Sequence, residues 1–224
     1  MDSRIIDILI SSFPQILIPG LTMTIPLTII SFFFALVIAV ITATIQYAKV
    51  RIFKDIVRFY IWITRGTPVL VQLYVVFYGL PSVGLTLDPF LAAVIVFSFN
   101  EGAYASETIR AALEAIPVGQ REAGMSLGLS FYQVMRYIIY PEAMRIAFPS
   151  LFNALIGMVK DTSLAANITV LEMFMATQRI VARTYEPLLL YLEVAFIYLM
   201  FCTVLTKLQS YGEKRLNKYG YSKA

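Results

Sequence analysis

The sequence predicts an all-α membrane protein with five transmembrane helices, and three observations lead to this prediction. Of the 224 residues, 59% are hydrophobic and only 14% are charged, whereas ordinary soluble domains carry about 25% charged residues. No residue from Ile8 to Ala48 is charged, and this run exceeds the roughly 20 residues that span a bilayer. Four further apolar segments follow it. The length suits a single membrane domain over residues 1–224.

We place the five helices near residues 18–47, 56–81, 89–113, 144–167 and 187–209. The first run is too long for the apolar core of a cleavable signal peptide, so we expect it to remain as the first span. The residues before it should lie outside the membrane or at its surface. The later segments are bounded by prolines, which mark the ends of such elements: Pro81, Pro89, Pro141 and Pro187.

The distribution of basic residues predicts the orientation, because Lys and Arg are enriched in cytoplasmic loops. Three segments are basic, namely 47–58, 114–145 and the C-terminal tail: Lys49, Arg51, Lys54, Arg58; Arg121, Arg136, Arg145; Lys207, Lys214, Arg215, Lys218, Lys223. The opposite face has only Arg4, Arg179 and Arg183. We therefore expect the N-terminus outside and the C-terminus in the cytoplasm. The same rule explains the formal net charge of +4, which gives no reason to expect a nucleic-acid partner.

Several kinds of chemistry are missing from the sequence. The chain has no His and a single Cys, Cys202, which excludes an internal disulfide and the catalytic arrangements that need His, and argues against a metal site. No Gly-rich run is followed by Lys-Ser or Lys-Thr, so there is no phosphate-binding loop. We expect no catalytic residues, no metal and no cofactor bound by this chain, which should not be an enzyme.

A polar segment between the third and fourth helices has a specific spacing. Glu122-Ala123-Gly124 is followed after three residues by Gly128, and after nine more by Ile138, with Tyr140-Pro141 completing the pattern. It resembles the cytoplasmic "EAA…G…I.LP" loop of ABC-importer permeases, the segment that docks on the ATPase. Gly124 stands where a second Ala is usual, and Tyr140 stands where Leu is usual.

Three other segments extend the resemblance over nearly the whole chain. Residues 65–72 are similar to the "RGTP.L.Q" signature of permeases for polar amino acids, residues 100–110 with Gly119-Gln120 to their "N..AY..E..R…GQ.EA" pattern, and residues 160–164 to their "KDTSL" segment. The chain is identified as a member of the permeases of polar amino-acid ABC importers, the type that handles His, Glu, Gln, Arg and opines. Four features after Asp161 are most similar to L-cystine permeases: Glu172, Phe174, Gln178 and the pair Arg183-Thr184.

The resemblance implies the MetI-like architecture of type I ABC importers, in which substrate is translocated by alternating access. It also implies a set of partners: an ABC ATPase subunit that binds ATP and Mg, an extracytoplasmic solute-binding protein, a second permease copy or homologue, the amino-acid substrate and membrane lipid. The coupling loop would span about 114–143. Small residues there should let the ATPase approach closely, and the implied coupling residues are Gln120, Glu122, Ala123, Gly124 and Gly128.

Charged residues in the third span need protein or water around them, since a charge at the bilayer centre costs at least about 2.5–3.5 kcal/mol. At about 100° per residue, Asn100, Tyr104 and Glu107 share one helical face. Arg110 lies three residues after Glu107, so the two can form a structural ion pair. Glu101 either contacts the substrate or makes an interhelical hydrogen bond.

The cluster Lys160–Ser163 interrupts the apolar run from Ile146 to Val159. Gly157 should favour a helix break there, which would expose backbone N–H groups to a substrate carboxylate, while Asp161 accepts the ammonium. The alternative is that Lys160 and Asp161 neutralise partner groups in the bundle. Candidate substrate contacts are Gln72, Asn100, Glu101, Tyr104, Asp161, Thr162 and Ser163.

Two structural expectations and two other functions complete the predictions. Gly66-Thr67-Pro68 should loosen the second helix, because Pro68 donates no backbone hydrogen bond, and Glu193 should reach water near the outer end of the last helix. A secondary transporter or channel could use Glu101, Glu107 and Asp161 as a proton or ion path, but it leaves the docking loop unexplained. A membrane scaffold leaves the charges in the spans unexplained.

Overall fold

The computed structural model describes residues 3–48 and 51–218, and within these ranges the chain is helical and contains no strand. Ten α-helices follow one another in the described residues: α1 Ser3–Pro19, α2 Ile25–Tyr47, α3 Arg51–Gly66, α4 Val69–Tyr74, α5 Pro89–Glu114, α6 Val118–Ser126, α7 Phe131–Val134, α8 Tyr140–Asp161, α9 Met173–Thr184 and α10 Pro187–Lys218. The predicted all-α class is confirmed. Of the predicted helices, α5 has nearly the bounds expected.

The first span begins far earlier than predicted. A π-helical turn at Gly20–Thr24 joins α1 to α2, so that Arg4–Tyr47 is one helix of 44 residues. At 1.5 Å per residue this helix is about 66 Å long, more than twice the hydrocarbon thickness of a bilayer. The leading residues are therefore helical, and the predicted start near residue 18 is wrong. Pro26 has no N–H to donate to the carbonyl of Thr22, which lies within this turn, and this accounts for its irregular hydrogen bonding.

The second span is broken where the Gly-Thr-Pro sequence stands. α3 and α4 meet at an angle of 104°, and Pro68 between them has an extended backbone. A π-helical turn Val75–Gly79 and a 3₁₀ turn Leu80–Val83 follow α4. The prediction of one helix over 56–81 is wrong in its continuity, while the predicted loosening at Pro68 is confirmed.

The fourth and fifth spans are longer than predicted. α7, a π-helical turn Met135–Ile139 and α8 run together from residue 131 to Asp161, where a start near 144 was predicted. The helix continues through Gly157 and changes to a 3₁₀ segment at Thr162–Ile168, so the regular helix ends within the cluster where the break was predicted, although Gly157 itself is helical. α9, bent by 53° from this run, was not predicted. α10 extends nine residues beyond the predicted end at 209.

The number of spans and their orientation remain predictions. By length and apolarity, two helices in the described residues can cross a membrane, Arg4–Tyr47 and Pro187–Leu216, or up to four if each bent pair counts as one span. Two of the basic residues used for the orientation, Lys49 and Lys223, lie outside the described residues.

The bundle is organised around α5, against which α2 packs along its length. Small side chains make this possible, since Ala39, Ala43, Ala105 and Ala112 all lie in one buried cluster with the start of α8. Small residues let helix backbones approach closely in membranes. α1, α9 and the first part of α10 form a second group with its own buried cluster. The polar residues of α5 are therefore held on a rigid central helix.

Candidate functional site

The break between α3 and α4 is held together by Gln72. Its Nε2 donates to the carbonyl oxygens of Thr64 (2.8 Å) and Thr67 (3.1 Å) and to Thr67 Oγ1 (2.9 Å). Its Oε1 accepts from Asn100 Nδ2 of α5 at 3.2 Å. The Gln72 side chain thus bridges the point where Pro68 provides no N–H group. Gln72 and Asn100 were predicted to contact substrate, and here their amides bind groups of the protein itself.

Further toward the end of α5, the charged residues pair with one another. Arg110 Nη2 lies 2.9 Å from Glu107 Oε2, and Arg110 Nη1 lies 2.8 Å from Glu114 Oε2. Gln46 Nε2 of α2 donates to Glu107 Oε1 at 3.1 Å. Glu107 therefore forms an ion pair with Arg110 within α5 and accepts a hydrogen bond that ties α5 to α2, so both of its carboxylate oxygens are occupied.

Tyr104, predicted on the same face as Asn100 and Glu107, is exposed on the surface of the chain. The guanidinium of Arg65, at the end of α3, lies 5.1 Å from the centre of its ring. A cation over an aromatic face is attracted by the ring quadrupole. This contact fixes the end of α3 against α5, next to the break.

Two carboxylates approach each other where α5 passes the end of α8. Glu101, which is partly buried, lies within electrostatic range of Asp161. Among the described residues, neither carboxylate accepts a hydrogen bond or forms an ion pair within 4 Å. Asp161 and its neighbour Lys160 are exposed on the surface of the chain. These charges remain available to a ligand or to another subunit.

The two hydroxyl residues after Asp161 differ in their surroundings. Thr162 is fully buried, and its Oγ1 donates to the Val159 carbonyl at 2.7 Å. Ser163 is only partly buried, and its Oγ donates to the Lys160 carbonyl at 2.7 Å. A ligand can reach Ser163 directly, whereas it can reach Thr162 only if the surrounding helices move.

A large cleft opens beside this cluster, between α8, α9 and α10. Its volume is about 680 Å³. Lys160 and Ser163 lie on one side, and the rest of the lining is mostly apolar and aromatic: Ile156, Phe174, Tyr191, Val194, Tyr198 and Cys202. Phe174 and Tyr191 stack with their ring centres 5.8 Å apart. Of these aromatic residues, Phe174 was noted from the sequence only as a feature similar to L-cystine permeases, and none was predicted to line a site. The signal that could have identified them is Glu172, an acidic residue set directly before α9 in an apolar context.

Another acidic residue lies in surroundings that differ from the prediction. Glu193 of α10 is only 9% exposed, and its Oε2 accepts from Ser12 Oγ of α1 at 2.5 Å. The prediction that Glu193 reaches water is therefore wrong. The partner is 181 residues away in the chain, and the long N-terminal helix that carries it was not predicted.

The predicted coupling segment forms a short helix followed by a tight turn. α6 ends at Ser126, Gly128 has a φ of +82°, and the Ser130 and Gln133 side chains cap the start of α7 reciprocally. Gly suits this turn because other residues are strained at positive φ. In α6 and the turn after it, three large apolar side chains are exposed: Val118 (58%), Met125 (52%) and Leu127 (82%). Gln120, Glu122 and Ala123 are also partly or fully exposed.

Gly124 is the buried residue of α6, and its small size has a cause within this chain. A Cβ atom at this position would lie 2.9 Å from side-chain atoms of both Val134 and Ile138. The expectation that Gly124 is small to admit a partner is therefore replaced by an intrachain reason, since the residue lets α6 lie directly on the helix that leads into α8. As a result α6 is fixed rigidly to the membrane helices while its apolar side chains face outward.

Comparison with known proteins agrees with this architecture. A family model described as "Binding-protein-dependent transport system inner membrane component" matches residues 35–218. The L-cystine transport system permease protein TcyB of Bacillus subtilis (strain 168) is 45% identical over 214 residues, which cover 95% of this chain and 92% of that protein.

Two solved structures share the fold. The crystal structure of an amino acid ABC transporter with histidines has a TM-score of 0.86 and 31% identity, and the match covers 96% of this chain and all of that one. A structure of the MetNI methionine ABC transporter has a TM-score of 0.73 at 16% identity and covers 96% and 99% of the two chains. The predicted MetI-like architecture and membrane location are confirmed. This chain belongs to the family of inner-membrane components of binding-protein-dependent transport systems.

Proposed function

We propose that this chain is the membrane-spanning subunit of an ATP-driven importer of polar amino acids, with L-cystine as the first candidate substrate. A solute-binding protein would deliver the substrate outside the cell, and a separate ABC ATPase would supply the energy. The 45% identity to an L-cystine permease supports the choice of substrate. The absence of a phosphate-binding loop from the sequence supports a separate ATPase.

The observation that carries the proposal is the arrangement of α6. α6 and the turn after it present Met125 and Leu127 to the outside. This helix is too short to cross a membrane, and Gly124 lets it pack against Val134 and Ile138. Exposed apolar side chains of this kind mark protein contacts. When an ATPase closes on its nucleotide and displaces α6, the movement passes into α7 and α8 as a rigid body. Alternating access follows if that movement opens and closes the cleft at the far end of α8.

The substrate would bind at Asp161 and Glu101, next to the side of the cleft that Lys160 and Ser163 line. A zwitterionic amino acid needs a partner for both charges in a low-dielectric site. Asp161 accepts the ammonium in this proposal, and the neighbouring Lys160, which is exposed, receives the carboxylate. The exposed charges at the end of α8 are costly against lipid, which favours a second permease copy or homologue across this face, with the pathway between the two subunits.

The structure also weakens the alternative of a secondary transporter. A proton path through Glu101, Glu107 and Asp161 requires carboxylates that are free to exchange protons. Glu107 instead binds Arg110 and Gln46, on a part of α5 about two turns from Glu101. That alternative also gives α6 no role.

The test is purification of the chain from cells that also express the candidate ATPase and binding protein. We expect the ATPase to copurify and its hydrolysis to rise on addition of the binding protein loaded with L-cystine. A panel of other polar amino acids, each with the same protein, then defines the substrate. Amino-acid transport by this chain purified without any ATPase would overturn the proposal.

A further inference from the structure

The carboxylate of Glu172 is fully buried at the junction between the 3₁₀ segment and α9. Its Oε1 accepts from the Met175 backbone N–H at 2.7 Å and its Oε2 from that of Phe174 at 2.9 Å. These bonds cap the start of α9, where a negative charge is also favoured by the helix dipole. The cap explains why an acidic residue stands here, but it does not use the whole side chain.

The remaining bond of Glu172 crosses to another helix. Tyr198 of α10 donates its hydroxyl to Glu172 Oε2 at 2.9 Å. The Thr162 hydroxyl lies beside the same phenol. The Tyr198 hydroxyl therefore lies between Glu172, which caps α9, and Thr162. A displacement of residues 160–163 can thus be transmitted to α9 through the side chain of Tyr198.

Two aromatic rings make the second contact between α9 and α10. Phe174 directly follows the cap and stacks on Tyr191 near the start of α10. Both rings, and Tyr198 itself, line the cleft of about 680 Å³. α9 is consequently the wall of the cleft on the side where α10 begins. Besides the buried apolar cluster that α9 shares with α10, one polar bond and one aromatic stack attach it there.

We infer that Glu172 and Tyr198 are positioning residues that form a latch, which holds α9 against α10 and closes the cleft on that side until the transport cycle releases it. A buried carboxylate that loses a donor is costly, because no water replaces the bond while the wall stays closed. The latch thus favours the state in which α9 lies against α10. Displacement of the segment around Thr162, by substrate or by a movement of α8, weakens the bond between Glu172 and Tyr198. The inference rests on the proposed function and names the residues that control access to its site.

The chain contains a natural probe for this opening. Cys202 is its single cysteine and lines the same cleft. The rate at which a membrane-impermeant maleimide labels Cys202, added on the side where α10 begins, therefore reports how often the wall is open. Cys202→Ser, which has no thiol, gives the background signal of the labelling assay.

Tyr198→Phe removes only the hydroxyl of the latch and leaves the backbone cap of α9 in place. In the assembled complex with its ATPase, we expect Cys202 to label at least about ten-fold faster, since one lost bond to a charged group changes such an equilibrium by a factor of about ten or more. ATP hydrolysis without the binding protein should rise, while the stimulation by the binding protein falls. Tyr211→Phe is the matched control, because Tyr211 is an exposed tyrosine on the same helix, and it should label as the unmodified protein does.

A second variant keeps the test decisive if Tyr198→Phe assembles poorly. Phe174→Cys with Tyr191→Cys, in the Cys202→Ser background, places a thiol on each side of the aromatic contact. A short reducible cross-linker between them should stop substrate-stimulated hydrolysis and uptake, and a reductant should restore both. Full activity of the cross-linked complex would overturn the inference.

The outcomes also separate this inference from the proposed function. Suppose that the unmodified complex shows ATP-dependent uptake, but that Tyr198→Phe and Tyr211→Phe have the same rate of Cys202 labelling, the same ATP hydrolysis and the same thermal stability. The latch is then refuted, and the proposed function as an importer is retained. If the unmodified complex shows no ATP-dependent uptake, the proposed function fails first.

Discussion

Removal of the charge on Asp161 should affect transport far more than stability. The carboxylate is exposed and accepts no hydrogen bond from the described residues, so Asp161→Asn removes no internal bond. We expect the free energy of unfolding to change by no more than about 0.5 kcal/mol, as for a substitution away from any internal contact. The loss of a charge-assisted bond to a substrate ammonium should remove about 1.5–3 kcal/mol, which is roughly ten- to a hundred-fold in affinity.

Glu107→Gln is the matched comparison, because the carboxylate of Glu107, unlike that of Asp161, is bound by other side chains of this chain. It weakens the ion pair to Arg110, whose Nη2 lies 2.9 Å from Glu107 Oε2, and disturbs the bond from Gln46. Here we expect the reverse pattern, with a loss of stability of about 1 kcal/mol or more and a smaller effect on substrate affinity in the protein that assembles.

Both variants should be measured on one preparation for thermal stability, basal ATP hydrolysis and uptake as a function of substrate concentration. An Asp161→Asn complex that is poorly folded, and is rescued when Lys160 is neutralised, would show that Asp161 is a structural charge. A well-folded Asp161→Asn complex with unchanged uptake would refute both the substrate role and the structural one.

Three further changes test other parts of the structure. Leu127→Asp places a charge where the exposed Leu127 side chain follows α6, so binding of the ATPase should fall while membrane insertion stays normal. Retained binding in a pull-down would contradict the role of α6 in docking the ATPase. Gly124→Val overpacks α6 against its neighbours and should lower stability by about 1–3 kcal/mol, whereas Gly119→Val, where a Cβ meets nothing within 4 Å, should leave the melting temperature unchanged. Ser12→Ala removes the buried donor to Glu193 and should cost about 1–3 kcal/mol, and an unchanged melting temperature would show that water replaces the hydroxyl.

The parts of the fold that the sequence predicts are those set by local chemistry. Pro68 has no N–H and stands next to Gly66, so the loosening of the second helix follows from two residues. The bounds of α5 follow from Pro89 and from Asp88, whose side chain caps the helix by accepting from Phe90 and Leu91. The 104° bend between α3 and α4 does not follow, because it depends on Gln72 and on its partner Asn100 in another helix.

The parts that could not be predicted depend on partners distant in the chain. The continuation of the first helix to residue 3 is stabilised by α9 and α10, for example where Gly20 approaches Met173 so closely that an added Cβ would lie 2.7 Å from its sulfur. The surroundings of Glu193 depend on that same helix. Gly124 fits the motif spacing, but only the packing of Val134 and Ile138 shows that its size matters to the chain itself.

The candidate site shows the same division. The motif spacing identified the residues of the cluster 160–163, yet nothing in the sequence distinguishes buried Thr162 from the accessible Ser163 or from exposed Asp161. Successive side chains of a helix point in directions about 100–120° apart, so the packing of the surrounding helices decides which of the three residues is buried. The aromatic wall of the cleft depends on α9, which a sequence rich in Phe and Tyr did not reveal.

The most direct test of the central claim is uptake of radiolabelled L-cystine into liposomes that contain this chain and its ATPase, with the binding protein outside. We expect uptake only when hydrolysable ATP is present on the side of the ATPase, and no uptake into liposomes that contain ATP and this chain without the ATPase. Uptake that a proton gradient drives in liposomes without any ATPase would contradict it.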